Sequence, residues 1–172
     1  MCRYSLSEVN QLSQANFVAV FGAIFEATPE IAAQTWQHRP FTSLQALHQT
    51  MCRLVERRDR VAQLRLLQAH PDLGSKAKMA PASVQEQATV GLDTLSAEEF
   101  QRFQRLNQTY QERFGFPFIV AVRNYSSQES ILQAFEVRSQ NTLEQEHTTA
   151  MLEVMQIAWY RLRDIILENG TA

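Results

Sequence analysis

The stretch Met151-Leu-Glu-Val-Met-Gln-Ile-Ala-Trp-Tyr-Arg-Leu-Arg-Asp-Ile165 decides the fold class. Projected at 100° per residue, Met151, Val154, Ala158, Leu162 and Ile165 fall on one stripe, the pattern of an amphipathic helix with one buried face. The pattern predicts a long last helix over 142–168, a central or clasping element. Working outward, one local signature recurs: Ser-x-x-Glu at Ser5/Glu8, Ser83/Glu86, Ser96/Glu99 and Ser126/Glu129. In a capping box the Ser oxygen accepts an orphan amide of the first turn and the Glu reaches back to the cap amide, so each marks a helix start. Thr28-Pro29 adds another, with Pro at the first helical position. Pro71 stops a helix, and Gly91, Gly115 and Gly170 stand just past periodic segments as left-handed caps do. These signals predict about eight helices, over 5–14, 16–27, 29–37, 43–57, 59–69, 83–90, 96–114, 126–138 and 142–168, the first two readable as one bent helix.

Two stretches resist the helical reading. Residues 70–82 are bracketed by prolines and contain Gly74, which predicts a loop or broken turn. Residues 116–122, Phe-Pro-Phe-Ile-Val-Ala-Val, are aromatic and β-branched and too short for a helix, which predicts buried extended chain. Such a segment has no sheet to join, so its backbone groups need other partners, and a bound polar ligand is one candidate.

Composition agrees with an all-α single-domain bundle spanning 1–172. The 172 residues suit one domain, and 45% hydrophobic with 20% charged residues supplies a core. Five Gly and five Pro are too few for a sandwich of many short strands. Sixteen Lys and Arg against 18 Asp and Glu give a net charge of -2, with no basic block for a nucleic-acid backbone. Cys2 and Cys52 have no metal-ligand spacing, so two free thiols in a reducing compartment are expected. The longest apolar run, Phe17 to Phe25, is too short to span a bilayer and does not follow a basic start, so no membrane association and a cytoplasmic location are expected.

Three positions can carry chemistry. His70 precedes Pro71 at a helix end, a rigid place for an acid or base, where a histidine that merely caps the last carbonyls is the alternative. His38 and His48 lie among polar surface positions, and His147 falls within the last helix. Ser83 and Glu86 read as an ordinary capping box, but Gln87 adds a second hydrogen-bonding side chain to a helix N-terminus that suits anions. Arg161 lies inside the edge of the apolar stripe of the last helix, whereas Arg163 is on the far side. A guanidinium there needs a partner, either a buried carboxylate such as Glu136 or Glu86, or a substrate carboxylate or urea-like group.

His-Pro-Asp-Leu-Gly at 70–74, Ser-Val-Gln-Glu-Gln at 83–87, Leu-Asn-Gln-Thr-Tyr-Gln-Glu-Arg-Phe-Gly-Phe-Pro-Phe-Ile at 106–119, Arg138 followed by Asn141, and Arg161-Leu162 occur in this order over nearly the whole chain. Together they resemble the motifs of the 2-oxo-4-hydroxy-4-carboxy-5-ureidoimidazoline (OHCU) decarboxylase family. The resemblance implies an all-helical fold, no cofactor or metal, a small-molecule substrate, two-fold dimers, and the last step of urate breakdown, giving (S)-allantoin and CO2. By position it implies catalytic roles for His70, Glu86 and Arg161, substrate contacts for Pro71, Ser83 and Gln87, and a pocket wall of Phe118, Ile119, Val120, Ala121 and Val122. The stretch between Gly74 and Ser83 is shorter than in many members. The competing reading is a non-enzymatic interaction module, in which His70, Glu86 and Arg161 are cap and ion-pair residues and the aromatic segment is a partner groove.

Overall fold

Serine oxygens open most of the helices. In this computed structural model of the protein, residues 3–74, 81–88, 92 and 95–167 are described, without the side chains of Pro81 and Ala82. The described residues form nine α-helices: α1 Leu6–Gln11, α2 Gln14–Phe21, α3 Pro29–Trp36, α4 Leu44–Glu56, α5 Arg60–Gln68, α6 Pro81–Ala88, α7 Ala97–Phe114, α8 Gln128–Arg138 and α9 Leu143–Ile165. A 3₁₀ turn, Val122–Asn124, follows the segment 116–121. A lone parallel bridge between Tyr4 and Ile166 is the nearest approach to a sheet among them. The fold is all-α.

Complete capping boxes stand at Ser5/Glu8 and Ser96/Glu99, and Ser13 and Ser43 cap α2 and α4. Two expected boxes differ. Ser83 lies inside α6, because Pro81, which has no N–H to leave unbonded, already occupies its first turn. At α8 the cap is Ser127, closed by Ser130 rather than by Ser126 with Glu129. Leu12 and Ser13 both adopt extended backbone, so α1 and α2 are two separately capped helices and not one bent helix. The helix expected over 16–27 stops at Phe21: the carbonyls of Ala23 and Ile24 accept from Arg161, and Ala27 turns to φ 49° before Thr28-Pro29. Gly115 takes φ 78° and ends α7 with its N–H on the carbonyl of Gln111, 2.8 Å away. Gly91 and Gly170, expected as caps, lie outside the described residues.

The chain divides into two compact units, Met1–Leu66 with Met155–Ala172, and Leu67–Val154, and the boundaries fall within α5 and α9. In the first unit α3 packs on α2 and on α4, around Val9, Phe17, Phe21, Phe25, Ile31, Leu47, Met51 and Val55, with Ala158 and Leu162 from the last helix equally buried. Arg39 ties the loop after α3 to the end of α1, donating to the carbonyls of Asn10 and Leu12 at 2.7 and 2.9 Å while its guanidinium covers the Trp36 ring.

The second unit is built on aromatic rings. Phe118 stacks on Phe135 with centroids 3.9 Å apart, and Tyr110 meets both edge-on at 5.3 and 5.4 Å. Such contacts add about 0.5–1.5 kcal/mol per pair beyond simple burial. They hold residues 116–122, all buried, against α7 and α8 without any strand pairing. No described helix is long and apolar enough to cross a membrane.

Candidate active site

Helix α6 is inside out. Ser83, Glu86 and Gln87, spaced to share one face, are all buried, while Val84 on the other side is 45% exposed. A serine, a carboxylate and an amide are buried only where hydrogen-bond partners replace their water. This helix turns a polar face inward.

Gln87 joins that face to the turn carrying His70. Its Oε1 accepts the N–H of Gly74 at 2.9 Å, and its Nε2 donates to the carbonyl of Asp72 at 3.3 Å. Asn107 of α7 donates to the Leu73 carbonyl at 2.9 Å, and Gln111 donates to the Asp72 carboxylate. The backbone of 72–74 is therefore held from two helices. Gly74 has φ 66°, and a Cβ there would stand 2.8 Å from the Leu95 side chain, so only glycine makes this approach without strain. His70 is buried, its N–H closing the end of α5 on the Leu67 carbonyl at 3.2 Å, and Pro71 behind it is partly exposed. Helix α6 also packs on the 3₁₀ turn 122–124, which ends the segment carrying Phe118, Ile119, Val120, Ala121 and Val122. The second unit thus brings together the His70 turn, the polar face of α6 and the end of the extended segment.

That segment finds charged partners, as its lack of a sheet demanded. Arg138, at the end of α8, donates to the Ile119 carbonyl at 2.8 Å and places its guanidinium 4.4 Å from the Phe118 ring centroid. Glu153 accepts the Ala121 N–H at 2.8 Å. Arg138 also donates from Nε and Nη2 to Glu146, which is fully buried and takes further bonds from Tyr110 and Asn141. Burial works against the Arg138 charge, but the Glu146 hydrogen bond and the charges around it outweigh burial and raise its pKa. Burial pushes the Tyr110 phenol well above its ordinary range, so it stays protonated and donates to Glu146.

Arg161 belongs to the first unit. Its Nη2 meets Glu26 at 2.9 Å, and its Nη1 donates to the carbonyls of Ala23 and Ile24, both at 3.3 Å. Glu26, which the sequence reading did not name, is thus a carboxylate partner of Arg161. Glu136 is exposed and pairs with Arg102. Arg163 is exposed, as the helical projection requires. His48 is less of a surface residue than its neighbours suggest: it is partly buried, 2.9 Å from the Met155 carbonyl and edge-on to Trp159. Burial pushes the Cys52 thiol up to about 12, which removes it as a nucleophile at neutral pH. Cys2 lies outside the described residues.

Sequence reasoning missed Glu26, Glu146 and Glu153. Arg138 and Asn141 were legible as a motif, and both converge on Glu146. Glu146 itself lies well off the apolar stripe of α9 and carries no pattern that marks it.

An all-α fold that buries a Ser-Glu-Gln helix face beside a fixed histidine turn gathers the acid–base and hydrogen-bonding groups that a helical enzyme's site requires. The family model described as OHCU decarboxylase matches residues 10–163, and the chain belongs to that family. It is similar to the 2-oxo-4-hydroxy-4-carboxy-5-ureidoimidazoline decarboxylase of Halalkalicoccus jeotgali, 41% identical over 99% of this chain and 97% of the relative. The protein of the same name from Haloferax volcanii is 44% identical over 95% of this chain and 97% of that one. A crystal structure of (S)-allantoin synthase superposes with a TM-score of 0.74 at 29% identity, over 95% of this chain and 54% of the other.

Proposed function

We propose that this protein decarboxylates OHCU to (S)-allantoin and CO2, with no bound cofactor, and that residues 1–172 act as one functional domain. The observation that carries the reading is the polar face of α6, Ser83, Glu86 and Gln87, buried and tied to the His70 turn in a chain of this family.

OHCU carries a hydroxyl and a carboxylate on one ring carbon beside a C=N bond, so the electron pair released with CO2 moves through that bond onto its nitrogen, which takes a proton from water. His70 takes the hydroxyl proton and returns a proton to the adjacent carbon from one face, which sets the configuration. Glu86 orients the polar ring and crowds the departing carboxylate, while Ser83 and Gln87 hydrogen-bond the ring and ureido groups. Pro71 and the wall Phe118, Ile119, Val120, Ala121 and Val122 enclose the ligand. Arg161, with the planar fork that suits a carboxylate or urea, clamps the substrate while Glu26 orients the guanidinium. The protein works in the cytoplasm as a homodimer with an isologous helix interface, and light scattering at micromolar concentration tests the subunit state.

The deciding experiment generates OHCU from urate and follows optically active allantoin. Wild-type protein accelerates its formation. His70→Ala stays folded, since a residue at a helix end before proline carries little of the core, and turnover drops by about 10²–10⁴. Wild-type turnover in a folded His70→Ala protein removes His70 from the mechanism.

A further inference from the structure

The extended segment 118–122 is buried backbone that no strand pairs, and two charged side chains hold two of its polar groups. The Ile119 carbonyl is held by Arg138 and the Ala121 amide by Glu153, at 2.8 Å each, and Arg138 and Glu153 stand 3.8 Å apart. The two anchors are spaced so that the chain from 119 to 121 is fixed at both ends by one ion-paired couple. Arg138 is fixed in turn by the buried Glu146, with its guanidinium lying over the Phe118 ring. Charge-assisted hydrogen bonds of this kind are stronger and more directional than neutral ones, and loss of one frees the backbone group it restrained.

We infer that Glu153, acting with Arg138, is a positioning residue: by holding the Ala121 amide it sets the backbone geometry of the wall that the substrate meets. The inference rests on the decarboxylase reading, because that reading makes 118–122 a substrate wall. Glu153 touches the wall and not the reacting atoms. Its loss therefore weakens substrate binding and leaves the proton transfers at His70 intact, which separates it from a residue that does chemistry.

Glu153 is the better member of the couple to test, because its side chain keeps 18% exposure and its removal strands no charge as deeply buried as Glu146. In Glu153→Leu, KM for OHCU rises about tenfold with kcat changed less than about threefold, and exchange of the Ala121 amide, followed by NMR, speeds up about tenfold. Glu153→Gln keeps an acceptor for that amide and restores both quantities. If Glu153→Leu does not fold, Glu153→Asp keeps the charge beside Arg138 but shortens the reach to Ala121, and the same two readouts move in the same direction. Unchanged amide exchange overturns the anchor. Faster exchange with unchanged KM makes Glu153 purely structural and overturns its positioning role, as does an equal loss in Glu153→Leu and Glu153→Gln. Wild-type protein inert toward OHCU overturns the decarboxylase reading instead, and Ala121 exchange in Glu153→Leu then upholds or overturns the anchor by itself.

Discussion

Arg138 in the second unit and Arg161 in the first are buried almost equally, 7% and 6% exposed, but their partners differ in kind. Arg138 makes bonds of 2.5–2.9 Å to a carboxylate with no exposure at all and to the Ile119 carbonyl, and it lies over an aromatic ring. The contacts of Arg161 within the first unit include a Glu26 side chain that is 11% exposed, at 2.9 Å, and the carbonyls of Ala23 and Ile24, both at 3.3 Å. Depth of burial alone does not say what a buried arginine does. Arg138, committed to a carboxylate that has no water to fall back on, is an architectural arginine.

The largest effect expected from this contrast is on stability. Arg138→Met leaves the Glu146 carboxylate buried with its compensating charge gone, at a cost of about 3–5 kcal/mol. That is a large share of the ~5–15 kcal/mol that holds a typical domain together. Chemical denaturation measures it. Adding Glu146→Gln, which removes the stranded charge and still accepts from Tyr110, recovers much of the loss. A loss below about 1 kcal/mol for Arg138→Met alone contradicts the architectural assignment.

The next effect is on activity. Arg161→Lys cannot copy a bidentate guanidinium contact, so kcat/KM for OHCU falls about tenfold or more, with a smaller loss of stability than Arg138→Met shows. Arg163→Lys, two residues further along the same helix but exposed, changes neither. Equal activity losses at 161 and 163 break the distinction between the buried and exposed edges of α9.

The smallest effect compares the two units through their capping boxes. The carboxyls of Glu8 and Glu99 lie below the ordinary value of 4.5, held there by hydrogen bonds from Ser5 and Ser96. A folded pKa below the unfolded one means that the contribution is complete above about pH 4.5 and is lost as pH falls through the lower folded value. Glu8→Gln and Glu99→Gln keep the box geometry without the charge. Each shrinks slightly the fall in thermal midpoint between pH 6 and pH 3, and to a similar extent in the two units. A change confined to one variant shows that one unit alone governs acid unfolding.

Much of the fold was legible because its signals are local. A capping box needs four residues and a left-handed glycine one, so the starts of α1 and α7 and the stop at Gly115 could be read directly. The apolar stripe likewise placed α9 within a few residues of its ends, 143–165 against an expected 142–168. The errors are also local in kind: Ser83 and Ser126 satisfy the box pattern, but Pro81 and Ser127 offered competing starts. The early end of α2 was not legible, because the carbonyls just beyond it accept from Arg161, 137 residues beyond Ile24.

The candidate site divides the same way. The sequence by itself determined the all-α class and the requirement that 116–122 find partners outside any sheet, and it marked His70, Ser83, Glu86, Gln87 and Arg161 as candidates. Only the tertiary structure decided which partners those are. Glu146 and Glu153 hold Arg138 and the extended segment, Glu26 holds Arg161, and the polar side of α6 faces inward. Helix caps and stripes follow from bonds between residues three or four apart, which the order of the chain sets directly. The choice of carboxylate for a buried arginine depends on which helices pack together, and desolvation makes that choice stringent only after the core has closed.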